Sequence, residues 1–99
     1  MPTEYREVEL VPAEFYLGQN YPNPFREKTT IKYCLASKAK VALTVYDPEG
    51  RVVKRLVDGE EEAGTHEAVW EAKGVPHGIY KYEMKAAEYK STKEMELKK

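Results

Sequence analysis

The side chains in this sequence equipped for chemistry are one thiol, Cys34, two imidazoles, His66 and His77, and the acidic run from Asp58 to Glu62. Covalent or acid–base catalysis needs a nucleophile within hydrogen-bond reach of a base, or paired carboxylates in a cleft. Cys34 is remote in sequence from both histidines, so only an accident of folding would pair them, and Ser37 and Ser91 sit in no nucleophile elbow. Neither histidine keeps metal-ligand spacing with Cys34, which argues against zinc. The acidic run offers clustered carboxylates to a hard cation such as Ca²⁺, but it lacks the alternating ligand spacing of an EF-hand loop and reads as a solvated turn. The expectation is a protein that is not an enzyme and uses no cofactor or metal.

The elements that would position these groups are strands. Lys40 to Val57, KVALTVYDPEGRVVKRLV, organises the chain. Val41, Leu43 and Val45 alternate with Ala42, Thr44 and Tyr46, the period of two that places one set of side chains on a buried face. Val52, Val53, Leu56 and Val57 make a second, less regular strand. Between them Asp47-Pro48-Glu49-Gly50 combines a carboxylate that can accept from the backbone two residues on, a proline with its preset φ, and a glycine where φ turns positive. Thr29 to Leu35 alternates with Ile31, Tyr33 and Leu35 on one face. Thr65 to Ala72 puts His66, Ala68 and Trp70 on one face, and Ile79 to Ala86 does the same with Tyr80, Tyr82 and Met84. Tyr89 to Lys98 closes the chain with Met95 and Leu97 inward.

Phe15 to Phe25 carries two prolines and a glycine among aromatics, so it reads as a stiff loop that packs, with Tyr21 and Phe25 covering an end of the core. Asp58 to Gly64 reads as a glycine-bounded turn. Met1 to Pro12, with Val8 and Leu10, reads as a linker or extra strand. The domain proper is expected over residues 15–99, with 1–14 as its extension. Aromatic side chains would suit a carbohydrate-stacking platform only if exposed. Alternation sends Tyr33, Tyr80, Tyr82 and Trp70 to the core and leaves Tyr46, Tyr16 and Tyr21 outside.

About seven short strands, with turn signals between them and no helical period, predict an all-β fold, an antiparallel immunoglobulin-like β-sandwich without the cysteine pair of antibody domains. A chain of 99 residues has room for one such core. Sixteen basic against seventeen acidic residues leave a net charge of −1, so no global field draws it to nucleic acid or an anionic membrane. One cysteine allows no internal disulfide, and stability must come from packing. No apolar run approaches the roughly 18 residues of a membrane span, and the first residues are too charged for a signal peptide. As written, the chain is expected to be cytosolic or a module cut from a longer exported protein.

Several stretches carry a resemblance. LGQNYPNPF (Leu17 to Phe25), TTIKY (Thr29 to Tyr33), VALTVYDPEGRVVKRLVDG (Val41 to Gly59), AGTHEAVWEA (Ala63 to Ala72), PHGIYKYEM (Pro76 to Met84) and TKEMELKK (Thr92 to Lys99) occur in the order and spacing of the C-terminal sorting domain family of the type IX secretion system. The chain resembles that family over its last 83 or so residues, departing from the usual NPFNP at Arg26-Glu27. It is also similar to the Ig-like domain of the flagellar hook-capping protein in its VYDxxGxxV and GxY segments. The first resemblance implies a sorting module that directs an exported protein to the cell surface. Its partners would be the outer-membrane secretion machinery and a sortase-like peptidase. The second implies a structural or assembly module. The charged strands themselves suggest self-association through sheet edges, with the segment carrying Val8 and Leu10 completing a neighbour's sheet in an oligomer or filament.

The residue pattern places recognition on the terminal strand, an exposed edge open to β-augmentation, with Lys93 and Lys98 on its charged side and Met95 and Leu97 fixing its register. The resemblance adds Gly64, Gly78 and Tyr80 to these contacts.

Overall fold

Alternation over seven segments becomes seven strands. The structure, a computed structural model, describes residues 12–98. The strands are β1 (Tyr16–Leu17), β2 (Lys28–Leu35), β3 (Ala39–Tyr46), β4 (Val52–Glu61), β5 (Gly64–Glu71), β6 (Gly78–Ala86) and β7 (Tyr89–Leu97), with no helix among the described residues. They form a three-stranded sheet ordered β1-β2-β5 and a four-stranded sheet ordered β4-β3-β6-β7, all pairs antiparallel. This is the Ig-like sandwich that the pattern predicts. The strand carrying Val8 and Leu10 would lie outside the described residues.

The inner faces are those expected. Ile31, Tyr33 and Leu35 from one sheet meet Val41, Leu43, Val45, Tyr80, Tyr82, Met84, Met95 and Leu97 from the other, each at most 1% exposed. Each such apolar side chain contributes about 1.5–3 kcal/mol by leaving water. Trp70 joins the layers: its ring lies 5.7 Å from Phe25, edge-on, and 5.4 Å from Tyr80.

Three expectations need correction. Asp58 to Glu61 is not a turn but the end of β4, paired with β3 as far as Ala39↔Glu61, so only Glu62-Ala63 separates β4 from β5. The backbone ladder with Ala39 to Ala42 extends this stretch, and its side chains find partners: Lys38 lies 3.8 Å from both Glu60 and Glu62, and the Tyr33 hydroxyl donates to Glu61 Oε1 at 2.5 Å. Tyr21 does not cover the core. It is 79% exposed, while Phe25 alone plugs the end of the sandwich. Tyr46, expected outside, is half-buried, with its hydroxyl 3.4 Å from Glu83.

The β3–β4 turn forms as its residues predict. Asp47 Oδ1 accepts from the amides of Glu49 and Arg51, both at 2.9 Å, the Gly50 amide donates to Asp47 O at 2.9 Å, and Gly50 sits at φ 89°. The Arg51 amide, with help from the Glu49 amide and the Arg51 charge, holds the Asp47 carboxyl below its ordinary 3.8. Its stabilising contribution is therefore in place above that pH and is lost as the pH falls through the lowered value.

Gly50→Val should destabilise by about 1–2 kcal/mol through the left-handed backbone alone, since a Cβ there meets no atom within 4 Å. Glu49→Ala, which removes an exposed ion pair, should stay within about 0.5 kcal/mol. Urea denaturation midpoints measure both, and equal losses would show that the hairpin does not depend on this turn. Trp70→Ala should cost about 3–5 kcal/mol by lost burial and cavity formation. Native tryptophan emission resembling the free amino acid would contradict its burial.

Candidate interaction surface at the sheet edges

The groups equipped for chemistry are kept apart. Cys34 and His66 lie on adjacent strands but on opposite faces of the sheet: Cys34 Sγ is 3.7 Å from Thr65 Oγ1 outside, whereas His66 stacks inside on Tyr33 with ring centres 5.3 Å apart. His66 Nε2 is 2.8 Å from Glu62 O and its Nδ1 is 3.6 Å from Glu61 Oε1. The Tyr33 hydroxyl is raised above its ordinary pKa by burial first, then by the hydrogen bond to Glu61 and that carboxylate's charge. This cluster closes the β4–β5 corner. His77 is exposed in the loop before β6.

An open sandwich presents its other reactive feature at the sheet edges, where backbone N–H and C=O groups face outward. Of the residues assigned to recognition, Gly78, Tyr80, Met95 and Leu97 come together on β6 and β7, paired Gly78↔Leu97 and Tyr80↔Met95. Tyr80, Met95 and Leu97 are 1% exposed, so they are core. The Tyr80 hydroxyl donates to Pro76 O at 2.6 Å, the corner device of Ig-like sandwiches, and burial raises its pKa. Gly78 sits at φ 152° with Pro48 Cγ 3.5 Å from its Cβ position. Gly64, at φ 139°, opens β5 in the other sheet. Lys98 is exposed just past β7. Lys93, expected on the charged side, shares the inward parity of Met95 and Leu97 and is half-buried.

The C-terminal end of the terminal edge is itself covered, contrary to the expectation of an open one, while its start around Lys90 and Thr92 is not covered by any of the described residues. Phe25 bridges Leu97, its amide donating to Glu96 O at 3.0 Å and its carbonyl accepting from Lys98 N at 2.8 Å. Asn23 Oδ1 takes the Glu96 amide at 2.9 Å, and Gln19 Nε2 donates to Glu94 O at 2.7 Å. The loop from Gln19 to Phe25 thus occupies the outward groups of Glu94, Glu96 and Lys98.

A buried polar knot that the sequence reading missed holds this loop. The Tyr82 hydroxyl donates to Gly18 O at 2.7 Å and accepts from Asn20 N at 2.8 Å. Asn20, 2% exposed, donates from Nδ2 to Thr29 Oγ1 and Pro22 O, and Thr29 Oγ1 donates to Pro22 O. Burial pushes the Tyr82 hydroxyl up to about 12, partly opposed by the Asn20 amide. Gln19-Asn20, two amides set in an otherwise aromatic loop, were the signal available.

The profile of one protein family, the FlgD Ig-like domain, matches residues 24–90. No curated protein and no solved structure matches the chain. The matched stretch runs from the start of the Phe25 bridge through β2, β3, β4, β5 and β6 to the first residues of β7.

Tyr82→Phe should cost about 1–3 kcal/mol, because the buried Asn20 amide loses its acceptor. It should also speed hydrogen exchange at the Glu96 and Lys98 amides more than at Leu43. Unchanged protection of those two amides would mean that something other than the knot seats the loop.

Proposed function

We propose that this chain, which belongs to the FlgD Ig-like domain family, is a non-catalytic structural and assembly module that joins a larger extracytoplasmic assembly through its sheet edges. The family match over residues 24–90 carries this reading, since it spans both sheets of the body. Two physical points support it. The thiol and the imidazoles face different surroundings, and the folded body offers backbone edges and charged faces for contact with other proteins. A partner is therefore met by surface pairing, without a cofactor, nucleic acid or membrane insertion.

One contact favours a second reading, the sorting module. Two of the stretches that resemble sorting domains, Leu17 to Phe25 and the end of β7, meet at the Phe25–Leu97 bridge. On that reading the secretion machinery and a sortase-like peptidase would recognise Lys98 and the loop that covers β7, and the chain would be secreted or held at the cell surface.

Cross-linking the tagged chain in its own cells before lysis separates the two. The assembly reading expects a discrete complex heavier than the free chain. Migration as the free chain would overturn it, above all if residues 15–99, fused behind a signal peptide and a reporter, carried that reporter to the surface of a type IX host and lost the ability on removal of residues 94–99.

A further inference from the structure

The edges of the sandwich are protected unequally. β1 has only two residues, β4 is broken by register shifts at Leu43/Thr44 and Val45/Tyr46 of its partner and carries Lys54 and Arg55, and the end of β7 lies under the Phe25 loop with Lys93 turned inward. Shortness, bulges, basic side chains and covering loops are the means by which proteins stop a second chain from adding to a sheet. Among the described residues β5 is the least protected: its eight residues hold unbroken register with β2 without proline, lysine or arginine, and its outward charges are the carboxylates of Glu67 and Glu71.

Its outward groups follow from geometry. The amides of Gly18 and Tyr21 donate to the carbonyls of Lys32 and Thr30, so even-numbered residues of β2 face β1 and its loop while odd ones bond to β5. On β5 the even residues Gly64, His66, Ala68 and Trp70 answer them. The backbone groups of Thr65, Glu67 and Val69 then point out of the sheet, without a partner among the described residues. Beside this edge a groove runs between β5 and β4, its apolar lining of Val53, Leu56, Trp70 and Val75 accompanied by Lys54, Lys73 and Glu71, and Val69 is 53% exposed.

We propose that two copies of this chain pair antiparallel through β5, about a two-fold axis beside Ala68, merging their three-stranded sheets into one of six strands. This deepens the assembly reading, on which it rests, by naming a second copy as the partner. Charge selects the register. An axis at Glu67 sets that carboxylate against its own copy, and an axis at Val69 sets Glu67 against Glu71, both unfavourable cross-strand pairs. An axis at Ala68 sets Glu67 opposite Val69 and Thr65 opposite Glu71, so no like charges stand directly opposite and the carboxylates meet only on the longer diagonals.

The same axis satisfies β4. That strand is charge-segregated, with Lys54 and Arg55 in its first half and Asp58, Glu60 and Glu61 at its end. Because β5 doubles back from β4 at Glu62-Ala63, a two-fold at Ala68 lays the basic end of one β4 towards the acidic end of the other.

Sedimentation equilibrium of the full chain tests this. The parent should show a monomer–dimer equilibrium that weakens with salt. Val69→Glu places a carboxylate opposite Glu67 at both symmetric positions and should weaken the dimer roughly tenfold. Val69→Lys, at the same exposed site, should hold the dimer at least as tightly at low salt. A parent that stays monomeric at millimolar concentration, or a dimer that Glu and Lys at position 69 affect in the same direction, overturns the proposal. A monomeric parent alongside a persisting complex in cross-linked cells would remove this inference and leave the assembly reading with a different protein as partner. Loss of both would remove both.

Discussion

The Tyr82 hydroxyl is the point on which the rest of the arrangement hangs. It sits at the centre of the four-stranded sheet, beyond the reach of water, and a buried hydroxyl without partners is costly. Its partners are the carbonyl of Gly18 and the amide of Asn20, both on the segment that leaves the other sheet. Satisfying one side chain therefore draws the loop across the end of the sandwich. Asn20, once buried, imposes the same demand on Thr29 and Pro22. Among the described residues no buried side-chain nitrogen or oxygen is left without a hydrogen bond.

From that knot the edges acquire different characters. The seated loop delivers Asn23 and Phe25 to β7, where they pair with backbone that would otherwise be open. The Gly18 amide similarly bonds Lys32 O, and a Cβ at Gly18 would stand 3.0 Å from that oxygen, so the loop lies flat on β2. On the far side the short Glu62-Ala63 link carries the chain between sheets. It leaves β4 on the four-stranded sheet and, among the described residues, no strand beside β5 on its outer side. Covered on one flank and open on the other, the sandwich has a direction for association.

The ionisable groups fit a structural role. Glu61 is shared by the Tyr33 hydroxyl and the His66 ring at the corner where β4 crosses to β5. The exposed ion pairs of Lys38, Arg55 and Lys90 lie at 3.7–3.8 Å and add little individually, since pairs in water are worth about 0–1 kcal/mol. The pairs of Lys38 and Arg55 do shape the charge pattern of β4, which matters more for what the edge meets than for how firmly the domain folds.

The strands, their inward faces and the β3–β4 turn were legible in the chain because each depends on neighbours in sequence. A period of two assigns Val41, Leu43, Val45, Tyr80, Tyr82, Met95 and Leu97 to one side without reference to what they meet, and Asp47 to Gly50 specify a turn within four residues. Local pattern could not say that Asp58 to Glu61 would extend β4, because the backbone they pair with, Ala39 to Ala42, is distant in sequence. Lys93 shares the parity of Met95 and Leu97, so its inward side was legible in the alternation, but local pattern could not choose Phe25 over Tyr21 as the plug or reveal that residues 19–25 would close the end of β7. Those outcomes follow from backbone and side-chain pairing between segments up to the length of the chain apart. Which edge stays open is a property of the assembled sheets, where each strand's free groups are whatever its neighbours leave unpaired.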